Sequence, residues 1–122
     1  MYKLEDMKEL VKESARATYE FGVGRDNWVL IHYKKGHRGG HHYHKGISPI
    51  KNPEVLVLIS GKMELLLRNI KTEKEEKITV ESPKIIKIDP YVYHEALALE
   101  DCIFLEIGED GYPKDKFELK EN

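Results

Sequence analysis

The stretch GHRGGHHYHKGISPIKNPEVLVLISG, residues 36–61, decides the fold and carries the chemistry. Its second half, EVLVLIS at 54–60, is a short aliphatic, β-branched run that stops at Gly61, as a core strand closing on a turn would. Leu56 and Leu58 fall on one face and Val55, Val57 and Ile59 on the other, so the strand is expected to be covered on both sides. The first half holds four of the six histidines, His37, His41, His42 and His44, within eight residues. In an extended strand residues two apart point the same way. His42 and His44 can therefore converge on one metal ion while Tyr43 points away.

Working outward, short β-type runs continue on either side: NWVLIHYKK, KMELLLRN, EEKITVES, KIIKID, HEALALE and CIFLEIGE. Turn signals at Gly36, Gly39-Gly40, Pro53, Gly61, Asn69, Pro83, Asp89-Pro90 and Asp101 separate them. So many strands in the body, with no later helical pattern, predict an all-β antiparallel sandwich or barrel and exclude a βαβ layout. The exception is the N-terminus, where Leu4, Met7, Leu10 and Val11 recur at helical spacing and predict one amphipathic helix within residues 1–20. The barrel is expected over 27–108, in a single domain covering 1–122. The polar tail 117–122 is expected to fray or to cross to another subunit.

A net charge of −2 with 34% charged residues offers no basic excess for nucleic acid. The longest apolar run is far below the roughly 20 residues of a membrane-spanning helix. The lone Cys102 forms no internal disulfide and reads as a small buried residue, and the N-terminus has no signal-peptide pattern, so a cytoplasmic protein is expected. The second cover over EVLVLIS is either the N-terminal helix or another protomer, and a homodimer is expected.

Two further residues suit the histidine pair. Glu54 opens a core strand, where an unpaired charge would be costly and a metal ion or a histidine would compensate it. His94 follows the turn DPYVY at 89–93 and starts the strand HEALALE. Three imidazoles and a carboxylate suit one divalent Fe, Mn, Ni, Co or Zn ion.

Gly36, five residues, His42, Tyr43 and His44 reproduce the opening of the first cupin motif, and Glu54, six residues and Gly61 reproduce its close. Pro90 and His94 resemble the second motif. The chain from about Gly36 to Glu106 thus resembles the cupin superfamily, which implies a double-stranded β-helix, or jelly-roll barrel, with His42, His44, Glu54 and His94 as metal ligands. Nine residues, KGISPIKNP, separate His44 from Glu54 where the motif has three or four, so a loop is inserted beside the site. Its two prolines make that loop semi-rigid.

HRGGHHYHK, VLVLISGKMELLLRN and DPYVYHE look like the cupins of sugar-polymer biosynthesis, including nucleotide-sugar ketoisomerases and the cupin domain of capsular-polysaccharide enzymes. That resemblance implies an isomerase- or epimerase-like reaction on a nucleotide- or phospho-sugar, with Arg38 on phosphate. His42 or His44 would take a proton α to a carbonyl, and Tyr91 or Tyr93 would donate one. His32, which shares strand parity with Trp28 and Leu30, is placed in the barrel interior as a structural or substrate-binding residue. His37 and His41 read as loop or entrance residues. Two other readings stand beside this one: a cupin-type Fe(II) dioxygenase and a non-catalytic small-ligand sensor.

Overall fold

Period-2 runs bounded by glycine and proline turns pair into two sheets. The computed structural model describes residues 1–119. Its strands are β1 (Lys8–Lys12), β2 (Arg16–Val23), β3 (Asp26–Tyr33), β4 (Arg38–His42), β5 (Glu54–Ser60), β6 (Lys62–Asn69), β7 (Glu75–Glu81), β8 (Lys84–Ile88), β9 (Val92–Ala98) and β10 (Cys102–Ile107). A six-stranded sheet, β1-β2-β3-β10-β5-β8, faces a four-stranded sheet, β4-β9-β6-β7, and every pairing is antiparallel. No described helix is long and apolar enough to cross a membrane.

Register decides what faces inward. Across the six-stranded sheet Thr18, Ile31 and Phe104 form one cross-strand row, and Glu20, Val29, Glu106 and Leu56 form another. Leu58, Met63, Leu65 and Cys102, each at most 1% exposed, pack between the sheets. Burying one such leucine contributes about 2 kcal/mol. Gly61 alone joins β5 to β6, at φ +103°, and a Cβ there would sit 2.3 Å from the Asp101 carbonyl oxygen. The tightness of this turn lets Glu54 and the residues of β6 belong to opposite sheets.

The outer face of the six-stranded sheet is also apolar. Tyr19, Leu30, Leu105, Val57 and Ile85 run across it in one register row. Ile59 and Ile85 on that face remain 48% and 65% exposed.

The N-terminal helix is not formed, and that expectation is corrected. Residues 8–12 are a strand that pairs with β2, Lys8 opposite Glu20 and Lys12 opposite Ala17. A helix there would have had little to bury its stripe against, since Leu4 is 87% exposed, whereas β2 offers an open ladder edge. A register shift between Glu9 and Val11 places Leu10 and Val11 both against the internal cavity. The bulge breaks strict alternation, which makes a strand look like a helix in the sequence. At the other end, Phe117 pairs with Tyr43 through two backbone hydrogen bonds of 2.9 and 3.0 Å, while the rest of the expected fraying tail, 120–122, lies outside the described residues.

Candidate metal centre

The centre is assembled from both sheets. His42 and His94 are cross-strand partners on β4 and β9, next to an irregularity at Gly40 and His41, whose φ values of +94° and +66° turn the chain. Past the end of β4, His44 is held by two contacts: its carbonyl accepts Tyr91 N–H at 2.7 Å, and its Nδ1–H donates to the Asp115 carbonyl. Glu54 comes from the opposite sheet at the first position of β5 and is 4% exposed.

The inserted loop does not displace Glu54. Asp115 anchors it, its carboxylate accepting the Lys45 and Ser48 N–H groups at 2.7 and 3.0 Å. Lys51, 5% exposed, pairs with Glu54 through backbone and side chain, its ammonium 3.5 Å from Oε2 and 3.7 Å from Glu109.

The hydrogen bonds fix the imidazole tautomers. His42 donates Nδ1–H to the Gly40 carbonyl at 3.0 Å, His94 to the Val92 carbonyl at 3.1 Å, and His44 to Asp115. Each neutral ring is left with a lone pair on Nε2. His44 Nε2 meets Glu54 Oε2, and His94 Nε2 lies 3.8 Å from Oε1. His44 Nε2 is fully buried, with Glu54 Oε2 as its polar neighbour. Two lone pairs cannot face each other stably, so a cation belongs between them: a proton, giving an imidazolium–carboxylate pair, or a metal ion. The ligand atoms of all four residues lie within 4.8 Å of one another, near the separations of about 3 to 4 Å around an ion with bonds of ~2.1 Å.

Electrostatics favour the metal-ready state. Burial, helped by His94, Lys116 and His44, lowers the His42 pKa to about 3, so this ring stays neutral at ordinary pH. Burial also lowers His94. For Glu54 burial pushes the pKa up, but the His44 hydrogen bond and the charges of Lys51, His94 and His44 outweigh it and bring it down to about 2. His42 and His94 thus offer neutral imidazole, and Glu54 a carboxylate.

Beside the centre is a cavity of about 580 Å³ lined by apolar residues such as Ile31, Leu56, Leu65 and Phe104, with His42, Glu54 and His94 in its wall. Arg38 lies at its rim, 43% exposed, with its guanidinium 3.1 Å from Glu95. His37 also lines the cavity, edge-on to Tyr33.

Three of the residues singled out in the sequence lie elsewhere. His32 is exposed on the outer face against Tyr19; the inward residues of β3 are Val29, Ile31 and Tyr33. Tyr91 stacks on Tyr43 under the Lys71 ammonium. Tyr93, next to inward-facing His94, turns its hydroxyl to Glu95 at 2.6 Å, and burial together with that bond pushes it up to about 12. Neither tyrosine lines the cavity. Sequence reasoning missed Asp115, which sits in an irregular polar segment with no motif, and Glu106, hidden in the apolar run CIFLEI.

Two facing antiparallel sheets with a three-histidine, one-glutamate centre between them define a double-stranded β-helix with a group that could hold a metal ion. This is the fold of the cupin superfamily, and comparison with solved structures agrees. CapF, the capsular polysaccharide assembling protein from Staphylococcus aureus, superposes with a TM-score of 0.73 at 18% identity, over 95% of this chain and 35% of CapF. Oxalate decarboxylase from Bacillus subtilis gives 0.69 at 18%, over 93% of this chain and 30% of the enzyme. KdgF from Halomonas sp. gives 0.61 at 18%, over 82% and 83%. The chain thus spans about a third of the length of CapF and of oxalate decarboxylase, and at this identity the likeness is one of fold. No family model and no curated protein sequence matches the chain.

Proposed function

We propose that the chain binds one divalent transition-metal ion through His42, His44, Glu54 and His94, and acts on a small carbonyl-bearing, sugar-type metabolite by proton transfer, as an isomerase or epimerase does. The observation that carries this reading is the set of three Nε2 lone pairs, fixed by backbone hydrogen bonds, converging on a buried carboxylate. When bound, the metal supplies a Lewis acid that polarises a carbonyl or holds an enediol. The protein supplies the orientation of the rings and a cavity large enough for a metabolite, apolar around Ile31, Leu56, Leu65 and Phe104. Oxalate decarboxylase, of the same fold, has Mn(II) centres, which supports Mn among the candidate ions. CapF, whose name ties it to capsular polysaccharide, supports a sugar-type substrate.

Protein purified without chelator is expected to carry close to one equivalent of transition metal by elemental analysis, and His42→Ala to carry far less. A parent protein with no transition metal would sink this reading. The apolar outer row ending in exposed Ile85 supports a homodimer in which a second copy covers the six-stranded sheet. Light scattering is expected to give twice the chain mass, reduced to one by Ile85→Glu, and a monomeric parent at micromolar concentration would rule the dimer out.

A further inference from the structure

The proton-transfer reading needs a group that is free to move a proton, and the histidines and tyrosines nearest the centre in sequence are not. His42 and His44 commit both ring nitrogens, Nδ1 to a backbone carbonyl and Nε2 to the centre. Tyr91 and Tyr93 stand outside the cavity. Among the described cavity-lining residues, Arg38 and His41 are paired with Glu95, and Glu109, Asp110 and Lys116 are exposed at the rim. His37 lies opposite Ala98, four residues along β9 from His94 or roughly 13 Å, and packs edge-on against Tyr33, which lies opposite Cys102 at the far end of β10.

Two partly buried carboxyls remain, Glu20 and Glu106, and the register separates them. Glu106 lies opposite Leu56 on the strand next to Glu54, so it is a diagonal neighbour of Glu54, with about 7–8 Å between such backbone positions. Glu20 is on β2, three strands away from β5, or roughly 14 Å. The Glu106 side chain has no hydrogen bond or ion pair among the described residues, and the nearby Lys51 ammonium contacts Glu54 and Glu109 instead.

We propose that Glu106 is the proton-transferring catalytic residue of this cavity, acting on a carbon next to the carbonyl of a small ligand whose oxygens lie at the four-residue centre. This rests on the metal-binding reading above. In the forward direction the ligand C–H bond breaks, its proton joins a Glu106 carboxylate oxygen, the bonding pair becomes a C=C bond and the carbonyl π pair moves to oxygen. In return the Glu106 O–H breaks and the proton goes back to the same carbon, giving exchange with solvent. In a hydroxycarbonyl ligand it goes instead to the neighbouring carbon while the hydroxyl proton moves from the second oxygen to the first, giving isomerisation. No oxidant or reductant is needed.

The surroundings suit the task. Burial pushes the Glu106 carboxyl up to about 7, with Glu54 and Glu109 adding to the rise and Lys51 and Lys116 opposing it. Such an acid gives and takes a proton near neutrality.

The test uses Mn(II)-loaded full-length protein with pyruvate and dihydroxyacetone in D2O, deuterium uptake being read by mass spectrometry. Glu106→Gln is expected to bind Mn(II) with the parent's stoichiometry and to slow exchange at least about 100-fold, with Glu106→Asp keeping part of the rate. A Glu106→Gln variant that exchanges at the parent's rate, or a parent that binds Mn(II) and exchanges neither probe, overturns the proposal. A parent that binds no metal refutes the metal-binding reading and overturns the proposal with it, whereas normal Mn(II) binding with unchanged exchange overturns the proposal alone; a second readout reports on the Glu106 carboxyl itself.

That readout is denaturant stability against pH in chelator-treated protein. A carboxyl whose folded pKa lies above its unfolded value of about 4.3 keeps its proton only in the fold between the two. Stability is then highest below the unfolded value and falls as pH rises toward about 7. This component of the slope is expected to vanish in Glu106→Gln, and equal slopes in the two proteins overturn the proposal.

Discussion

Replacing His44 with alanine is expected to lower the affinity for Mn(II) or Fe(II) by at least about 100-fold and to cost the metal-free protein about 3 kcal/mol. Both effects come from its position. His44 is 2% exposed and bridges Glu54 on the cavity side and the Asp115 carbonyl behind it. Without it the ion loses a ligand, and the buried Glu54 carboxylate loses its nearest polar neighbour and is left with the Lys51 ammonium at 3.5 Å. Competition with a fluorescent chelator measures the first effect and urea unfolding the second. The double variant His44→Ala/Glu54→Gln separates them, because removing both members of a buried pair costs less than removing one. It is expected to regain part of the stability while affinity stays lost. A single variant that binds metal like the parent would remove His44 from the centre.

Gly61→Ala is expected to be strongly destabilising. A Cβ at 61 would meet the Asp101 carbonyl oxygen at 2.3 Å and both Cα and Sγ of Cys102 at 2.9 Å, and two of those atoms are backbone that cannot swing aside. The φ of +103° adds conformational strain. The cost should exceed about 3 kcal/mol, lowering the thermal midpoint by roughly 10 °C or more. Gly36 gives the control: at φ +92° it shares the strain, but an added Cβ there would meet nothing within 4 Å, so Gly36→Ala should cost only about 1–2 kcal/mol. Equal midpoint shifts in the two variants would contradict this account. The glycine before the histidines serves a turn, whereas the one after Glu54 serves a close approach.

Much of this can be read from the letters. The β body follows from period-2 runs and turn residues, and the spacing of His42, His44, Glu54 and His94 names the four residues that the fold brings together. What fails does so where periodicity is ambiguous. The bulge in β1 mimics a helical repeat. Shared parity with Trp28 and Leu30 points His32 inward, yet both faces of β3 are apolar, so parity does not say which is inside. Closeness in sequence to His94 ties Tyr91 and Tyr93 to the site, but a strand alternates, and the neighbours of an inward residue face out. Asp115 is invisible because its contact with His44 uses a main-chain oxygen, 71 residues away in sequence.

That last contact belongs to a set with a consequence for how such a centre drifts over time. The groups that orient His42, His94 and His44 are the carbonyls of Gly40, Val92 and Asp115, atoms every residue type possesses. As long as the backbone path is kept, the identity of the residue at 92 can change without loosening the ring it steers. Divergent chains could therefore retain this donor geometry while their supporting positions share no letters. A search for its relatives is better framed as a search for three carbonyl directions around a His-x-His pair than as a longer sequence pattern.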